Sequence, residues 1–334
     1  MQDLPKPSRR ANAIAVSVLI AAALAPSAYA QSAWKPDRNV EIIVNTAPGS
    51  GQDTTARTVQ KILQERKLVE SPLTVMNKPG GGGALAYTYL NQQPGNGHYV
   101  AIASKSLLTN HIMGRNPITH ADVTPLAILF GEYISVAVKA DSEIRSGKDL
   151  IERMKKDPSA YSFGVATSMG NPNHQGVAMA LKEAGVDVKR MKVVVFQSGG
   201  NAITALLGGH VSVVPGSVGL MRPHVEAGNV RLIAIAAPQR LPGLFAQTPT
   251  WREQGANAIV SNWRGLIGPR GMTPAQTAYW DGALKGLTAT DEWKKDLERN
   301  YWADDYMASA ETRKYMENEY AQLKAFLVAL ELAK

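Results

Sequence analysis

Short apolar runs alternate with helical stretches along most of the chain. Residues 40–45, "VEIIVN", read as a strand, and over 52–67 Ala56, Val59, Ile62 and Leu63 fall at helical spacing. "LTVMN" (73–77) predicts the next strand, followed by a helix through Leu85, Tyr89 and Leu90, and "YVAIAS" (99–104) predicts a third strand. This βαβαβ order calls for a parallel sheet with right-handed crossovers. A second set begins at "YISVAVKA" (133–140), with Ser146 and Asp149 forming a capping-box-like start for a helix over "LIERMKK". "YSFGVA" (161–166), "KVVVF" (192–196), "VSVVPG" (211–216) and "RLIAIAA" (231–237) predict strands with helices between them. A proline-broken connection leads to a strand at "SNWRGLIGP" (261–269), and two long helices close the chain, one from Pro274 and one from Glu311.

The first thirty residues do not fit this pattern. Lys6, Arg9 and Arg10 precede the apolar run "ANAIAVSVLIAAALA", and "AYA" (28–30) offers a small-x-small cleavage site. This predicts a secretory signal peptide over 1–30, cut after Ala30, because the run is too short to span a bilayer. Arg9-Arg10 resembles a twin-arginine signal without its usual following hydrophobic residue, so the export route stays open. The chain has no cysteine, which excludes disulfides, thiolate metal sites, a cysteine nucleophile and a lipid-anchored N-terminal cysteine. The expected location is the periplasm, as a free protein.

Thirty-six Lys and Arg against 28 Asp and Glu give the 334-residue chain a charge of +8. The leader holds Lys6, Arg9 and Arg10 against Asp3, which leaves +6 on the remainder. The positive charge is dispersed and aromatics are only 7% of the chain, which argues against a nucleic-acid surface. A mild positive field suits small anions.

Four loops are rich in Gly, Ser, Thr or Asn and sit between a strand and a helix: "TAPGSGQD" (46–53), "KPGGGGA" (78–84), "TSMGNPNH" (167–174) and "QSGGNA" (197–202). Ligands of open α/β sheets bind at the carboxyl ends of strands, and helix starts with bare backbone amides favour anions. The candidate ligand-binding residues are therefore Thr46, Ala47, Pro48, Gly49, Ser50 and Gly51; Gly81, Gly82, Gly83 and Ala84; Thr167, Ser168, Gly170, Asn171, Asn173 and His174; and Gln197, Ser198, Gly199, Gly200 and Asn201. Ser104 and Ser217, at two strand ends, complete the set.

Other chemistries find little support. "GSGQDT" lacks the third glycine of a dinucleotide loop, and no GKS or GKT occurs. Ser217 in "PGSVG" half-matches a nucleophile elbow, but Pro215 stands where the first glycine is required. No histidine pair has ligand spacing on a helix. The reading is no enzyme, no catalytic residue, no metal and no cofactor, with a hydrolase as the weaker alternative.

The chain resembles the substrate-binding proteins of tripartite tricarboxylate transporters, the Bug family. "VEIIVNTAPGSGQDTTAR", "VMNKPGGGGALAYTYLNQQPGNGHYVAIAS", "YSFGVATSMGNPNH", "FQSGGNAITALLGGHVSVV", "AGNVRLIAIAAPQRLPGLFAQTPTWREQG" and "WRGLIGPRGMTP" carry the resemblance in order and spacing. It implies an α/β periplasmic binding protein fold with a ligand cleft between two domains, 31–132 plus 258–334 and 133–257. It further implies a carboxylate gripped by residues 46–53 and 80–84, partly through water, and second-domain contacts from the loop before the helix at His174 and the loop after Phe196. The partners implied are a small carboxylate and integral membrane transporter subunits; the protein is expected to be a monomer and to bind no nucleic acid. Two departures bear on the ligand. Thr46-Ala47 stands where the family often has an aromatic residue, which widens the pocket. Phe196-Gln197-Ser198 stands where the family commonly has Tyr-Lys, which removes a cation. The expected ligand is a dicarboxylate, aromatic such as terephthalate or aliphatic such as adipate. A sensor feeding a signalling partner is the alternative role.

Overall fold

The computed structural model describes residues 34–166 and 168–334. The proposed signal peptide and its cleavage point lie outside the described residues.

Strand β1 (Val40–Val44) pairs in parallel with β2 (Leu73–Asn77) on one side and β3 (Tyr99–Ser104) on the other. Helix α1 (Gly51–Glu65) makes the first crossover and α2 (Ala84–Asn91) the second, as the βαβαβ pattern requires. Beyond β3 the sheet turns antiparallel through β9 (Ser261–Pro269) and β4 (Val123–Lys139), and the two-residue strand β10 (Met307–Ala308) closes the edge. The order is β10-β4-β9-β3-β1-β2.

Strand β4 joins two layers of pairing. From Val123 to Tyr133 it pairs with β9; from Ile134 onward it pairs with β7 (Val214–Ser217) and β8 (Val230–Ile235). The strand expected to start at 133 is thus the second half of a 17-residue strand. Pro125 and Gly131 obscured its first half, and the ladder passes Pro125 with a register shift. Around β7 and β8 pack α4 (Gly147–Lys156), the parallel pair β5 (Ser162–Ala166) and β6 (Lys192–Phe196), α5 (Pro172–Glu183), α6 (Gly199–Leu207) and α7 (Val218–Glu226). Gly164 N–H donates to Val213 O at 2.8 Å and ties β5 to the segment entering β7.

Two helical features depart from the sequence expectation. A short helix, α3 (Ser106–Ile112), follows β3 at once; Lys105 provides no side-chain cap, so no signal announced it. The C-terminal region holds three helices, not two: α8 (Pro274–Thr288), α9 (Asp291–Asn300) and α10 (Ser309–Ala329). Thr290 starts α9 by accepting a bond from Trp293 N–H at 3.3 Å, which breaks what otherwise reads as one long helix. Four tryptophans, Trp251, Trp263, Trp280 and Trp293, are fully buried and anchor the core. Trp263 lies on β9 and donates to Glu319 of α10 at 2.5 Å. Strand alternation sends the next residue, Arg264, to the opposite face. Residues Lys35–Lys334 make one compact body.

Candidate functional site

The first loop is held from behind. Ser50 caps α1, accepting from Asp53 N–H at 3.3 Å, and its hydroxyl meets that of Thr46 at 2.6 Å. Asp53 lies three residues into the helix and is nearly inaccessible to solvent. Its carboxylate accepts from Gly49 N–H at 2.8 Å, Asn77 Nδ2 at 3.0 Å and Arg57 Nε at 3.0 Å. Burial works against its charge, but Arg57, the Gly49 amide and Asn77 outweigh it and hold the carboxyl below its usual range. Ser50 is therefore the cap, and Asp53 fastens the loop to β2.

The second loop needs its glycines. Gly80, Gly81, Gly82 and Gly83 all have positive φ, from 57 to 129°, a region that L side chains enter at a cost. A Cβ on Gly83 would stand 2.7 Å from Tyr87 Cε2 and 2.9 Å from Asn45 Nδ2. The loop backbone thus rests directly on Asn45 and Tyr87, which are themselves bonded at 2.8 Å. Asn110 Nδ2 holds Gly82 O at 2.9 Å from the far side.

The third loop is an N-terminal cap with a buried histidine. Asn171 accepts from His174 N–H at 3.0 Å, and Pro172 occupies the first helical turn, where its missing N–H costs nothing. His174 Nδ1 accepts from Gly170 N–H at 3.0 Å, and Gln175 Nε2 donates to Gly170 O at 2.8 Å. Burial pushes the His174 imidazole down to about 4, so it is neutral at pH 7. A folded-state value below the unfolded one means stability is fully present above about pH 6.5 and is lost as pH falls toward 4. His174→Gln is expected to flatten the stability profile over that window, measured by urea unfolding at several pH values. An unchanged slope would mean that His174 titrates alike in the folded and unfolded states.

These three loops meet around a cavity of about 380 Å³. Of the sequence candidates, Thr46, Gly82, Gly83, Ser104, Ser168, Asn171 and Asn173 line it. Ala47, Pro48, Gly49, Ser50, Gly51, Gly81, Ala84, Gly170 and His174 are not among the residues on that wall. The fourth loop does not reach it. Ser198 accepts from Asn201 N–H at 3.2 Å and donates to Asn201 Oδ1 at 2.6 Å, so these groups cap α6. Gln197, Gly199, Gly200 and Ser217 are likewise off the wall, and Thr167 lies outside the described residues.

Sequence reading missed several lining residues: Asn45, Ser106, Thr109, Asn110, Asn262 and Arg264; Gln52 lies within its 46–53 loop. Arg264 changes the electrostatics most. Its side chain is only 12% exposed, and Nη2 donates to Glu132 Oε2 at 3.1 Å. Nη1 lies 3.3 Å from both Asn262 O and Trp263 O. A guanidinium has five N–H donors; these contacts account for at most three of them. Glu132 in turn accepts from Trp302 Nε1 at 3.3 Å. The Tyr87 phenol stays protonated because burial pushes it up, with the nearby Arg264 charge opposing. The one signal that could have marked Arg264 was a lone cation inside an apolar strand. Three other buried wall atoms, Asn45 Oδ1, Gln52 Oε1 and Thr109 Oγ1, find no hydrogen-bond partner among the described residues. Buried polar atoms in native folds are normally satisfied, so these face a water or a ligand group.

Among the described residues there is no group of three or more His, Asp or Glu that could hold a metal ion. No helix among them is long and apolar enough to cross a membrane.

A two-layer α/β fold with a small-molecule cavity walled by strand-end loops, and one partly satisfied arginine within it, is the architecture of a periplasmic-type solute-binding protein. The family model described as tripartite tricarboxylate transporter family receptor matches residues 55–332, and the chain belongs to that family. Its members bind solutes and are not enzymes. Among curated relatives, the "UPF0065 protein in gbd 5'region" of Cupriavidus necator is 25% identical, with 97% of each chain covered. A TctC solute-binding protein from Polaromonas superposes with a TM-score of 0.75 at 24% identity, covering 87% of this chain and 98% of that one. A Rhodopseudomonas palustris protein solved with adipate gives a TM-score of 0.75 at 22% identity, covering 89% and 99%.

Proposed function

We propose that this protein is a periplasmic receptor that captures a dicarboxylate and delivers it to the membrane subunits of a tripartite transporter. The observation that carries this reading is Arg264, a charged group with donors to spare on the wall of a cavity roofed by Gly82 and Gly83. A carboxylate accepts about four hydrogen bonds, and a guanidinium offers two in parallel at its own spacing. Asn110, Asn173, Asn262 and the serine hydroxyls supply further neutral donors. The cavity volume falls within the range of small-molecule sites. The adipate held by the R. palustris neighbour supports a linear diacid, and the missing aromatic residue at Thr46-Ala47 leaves room for an aromatic one.

The same reading divides the chain into 31–132 plus 258–334 and 133–257, with a secretory signal over 1–30. Support for the division comes from β4, which exchanges partners between Tyr133 and Ile134, and from Val260, whose carbonyl accepts Ile134 N–H at 3.4 Å just before β9 begins. The two chain crossings therefore lie side by side, as a hinge requires.

The test is a thermal-shift screen against adipate, terephthalate, citrate and their monoacid analogues. A bound acid at 100 times its dissociation constant adds about 2.7 kcal/mol, a rise of several degrees for a chain of this size. The expected hits are diacids, recovered unchanged after long incubation. A panel without a single hit, or turnover of a hit, would overturn the proposal.

A further inference from the structure

A second, more open hollow of about 560 Å³ adjoins the cavity, and Gly82, Asn110 and Ser168 line both. The remaining wall of this hollow has one charged group, Arg115, and three apolar ones, Met169, Val195 and Leu332. The Arg115 side chain makes no hydrogen bond or ion pair among the described residues. Glu331, the acid next to Leu332 in the chain, is already engaged by Lys189.

Arg115 is also well placed by its backbone. Its N–H donates to Asn110 O at 2.8 Å, and the side chain of the same Asn110 donates to Gly82 O at 2.9 Å. One residue thus fixes the base of Arg115 relative to the glycine loop over the first cavity. Val195 reinforces the picture from the opposite side: it is a strand valine left 47% exposed, beside Met169. An apolar wall with a single unpaired cation suits a hydrocarbon spacer ending in an anion.

We propose that Arg115 reads the second anionic group of the ligand, so that the receptor selects elongated diacids with an apolar spacer over monoacids of the same skeleton. This rests on the reading that the first cavity takes a carboxylate at Arg264, and it assigns the distal end to a residue outside all four glycine-rich loops. Arg115 is a specificity residue on this account, since the near carboxylate is bound without it.

The experiment titrates wild-type protein and Arg115→Gln with two matched pairs, adipate against hexanoate and terephthalate against benzoate. Wild type should prefer the diacid of at least one pair by tenfold or more. Arg115→Gln should lower diacid affinity by roughly 10- to 100-fold, as loss of a charge-assisted contact does, while leaving the monoacid within twofold. Arg115→Lys should recover part of the preference, and both variants should melt like wild type because the side chain is solvent-exposed. A diacid preference that survives in Arg115→Gln, or an equal loss for both members of a pair, overturns the proposal while the carboxylate site stands. Absence of binding of any of the four acids to wild type removes the carboxylate reading, and the role of Arg115 with it.

Discussion

Arg264→Gln is expected to weaken carboxylate binding by roughly 10- to 150-fold, the equivalent of about 1.5–3 kcal/mol for hydrogen bonds to a charged group. It should also destabilise the empty protein by about 3 kcal/mol, because Glu132 is only 19% exposed and would lose its cation. The two effects have different origins and can be separated. Glu132→Gln removes the competing acid yet leaves Arg264 charged, with its Asn262 and Trp263 carbonyl contacts intact. That variant should lose stability while binding the acid as tightly as wild type or tighter, since the guanidinium is freed for the ligand. Urea unfolding and calorimetric titration of both variants provide the check. Full affinity in Arg264→Gln would mean that the arginine serves the fold alone.

Gly82→Asp should be at least as damaging to binding. A Cβ at this position would come within 2.9 Å of Asn110 Nδ2, so Asn110 must move and its bond to Gly82 O is strained or lost. The new carboxylate would share the cavity wall with the ligand's own. Two like charges about 4 Å apart repel by about 4 kcal/mol at the effective dielectric of a protein surface, more than a hundredfold in affinity. The backbone itself contributes less, because φ 62 and ψ 26 lie in the left-handed region that aspartate tolerates better than most residues. Gly49→Asn is the matched control. Gly49 also has positive φ, but a Cβ there meets nothing within 4 Å and the residue is off the cavity wall. It should change affinity by no more than a few-fold.

How much of this was legible from the residues varies with the kind of signal. The strands of the first βαβαβ set stood out because each is a short run rich in apolar residues. Strand β4 did not, since Pro125 and Gly131 are read as breakers, whereas in the fold Pro125 sits at a register shift and Gly131 is packed against Ser261 and Asp305. Helix α3 was invisible for want of a cap, and α9 was merged with α8 because only Ala289 and Thr290 separate them. At the site, three of the four small-residue loops do wall the cavity. The fourth is not on that wall, and there Ser198 and Asn201 satisfy the start of α6. A helix cap and an anion loop draw on the same residues, and only the tertiary position separates them. Arg264 was hidden for the opposite reason. It lies on a strand, is the single cation of that strand, and belongs to none of the glycine-rich segments. Which face of β9 meets the cavity is set by the pairing of β9 with β3 and β4, a long-range fact that local pattern does not contain.

The claim that the cavity recognises carboxylate charge, and not simply a six-carbon chain, is tested most directly by calorimetric titration with adipate and with its uncharged diamide. The two share length and spacer and differ in the groups that Arg264 and Arg115 would meet. Adipate should bind one to one, the diamide at least a hundredfold more weakly, and the gap between them should narrow sharply in Arg264→Gln. Equal affinity for acid and diamide, or an adipate affinity that Arg264→Gln leaves untouched, would contradict the account.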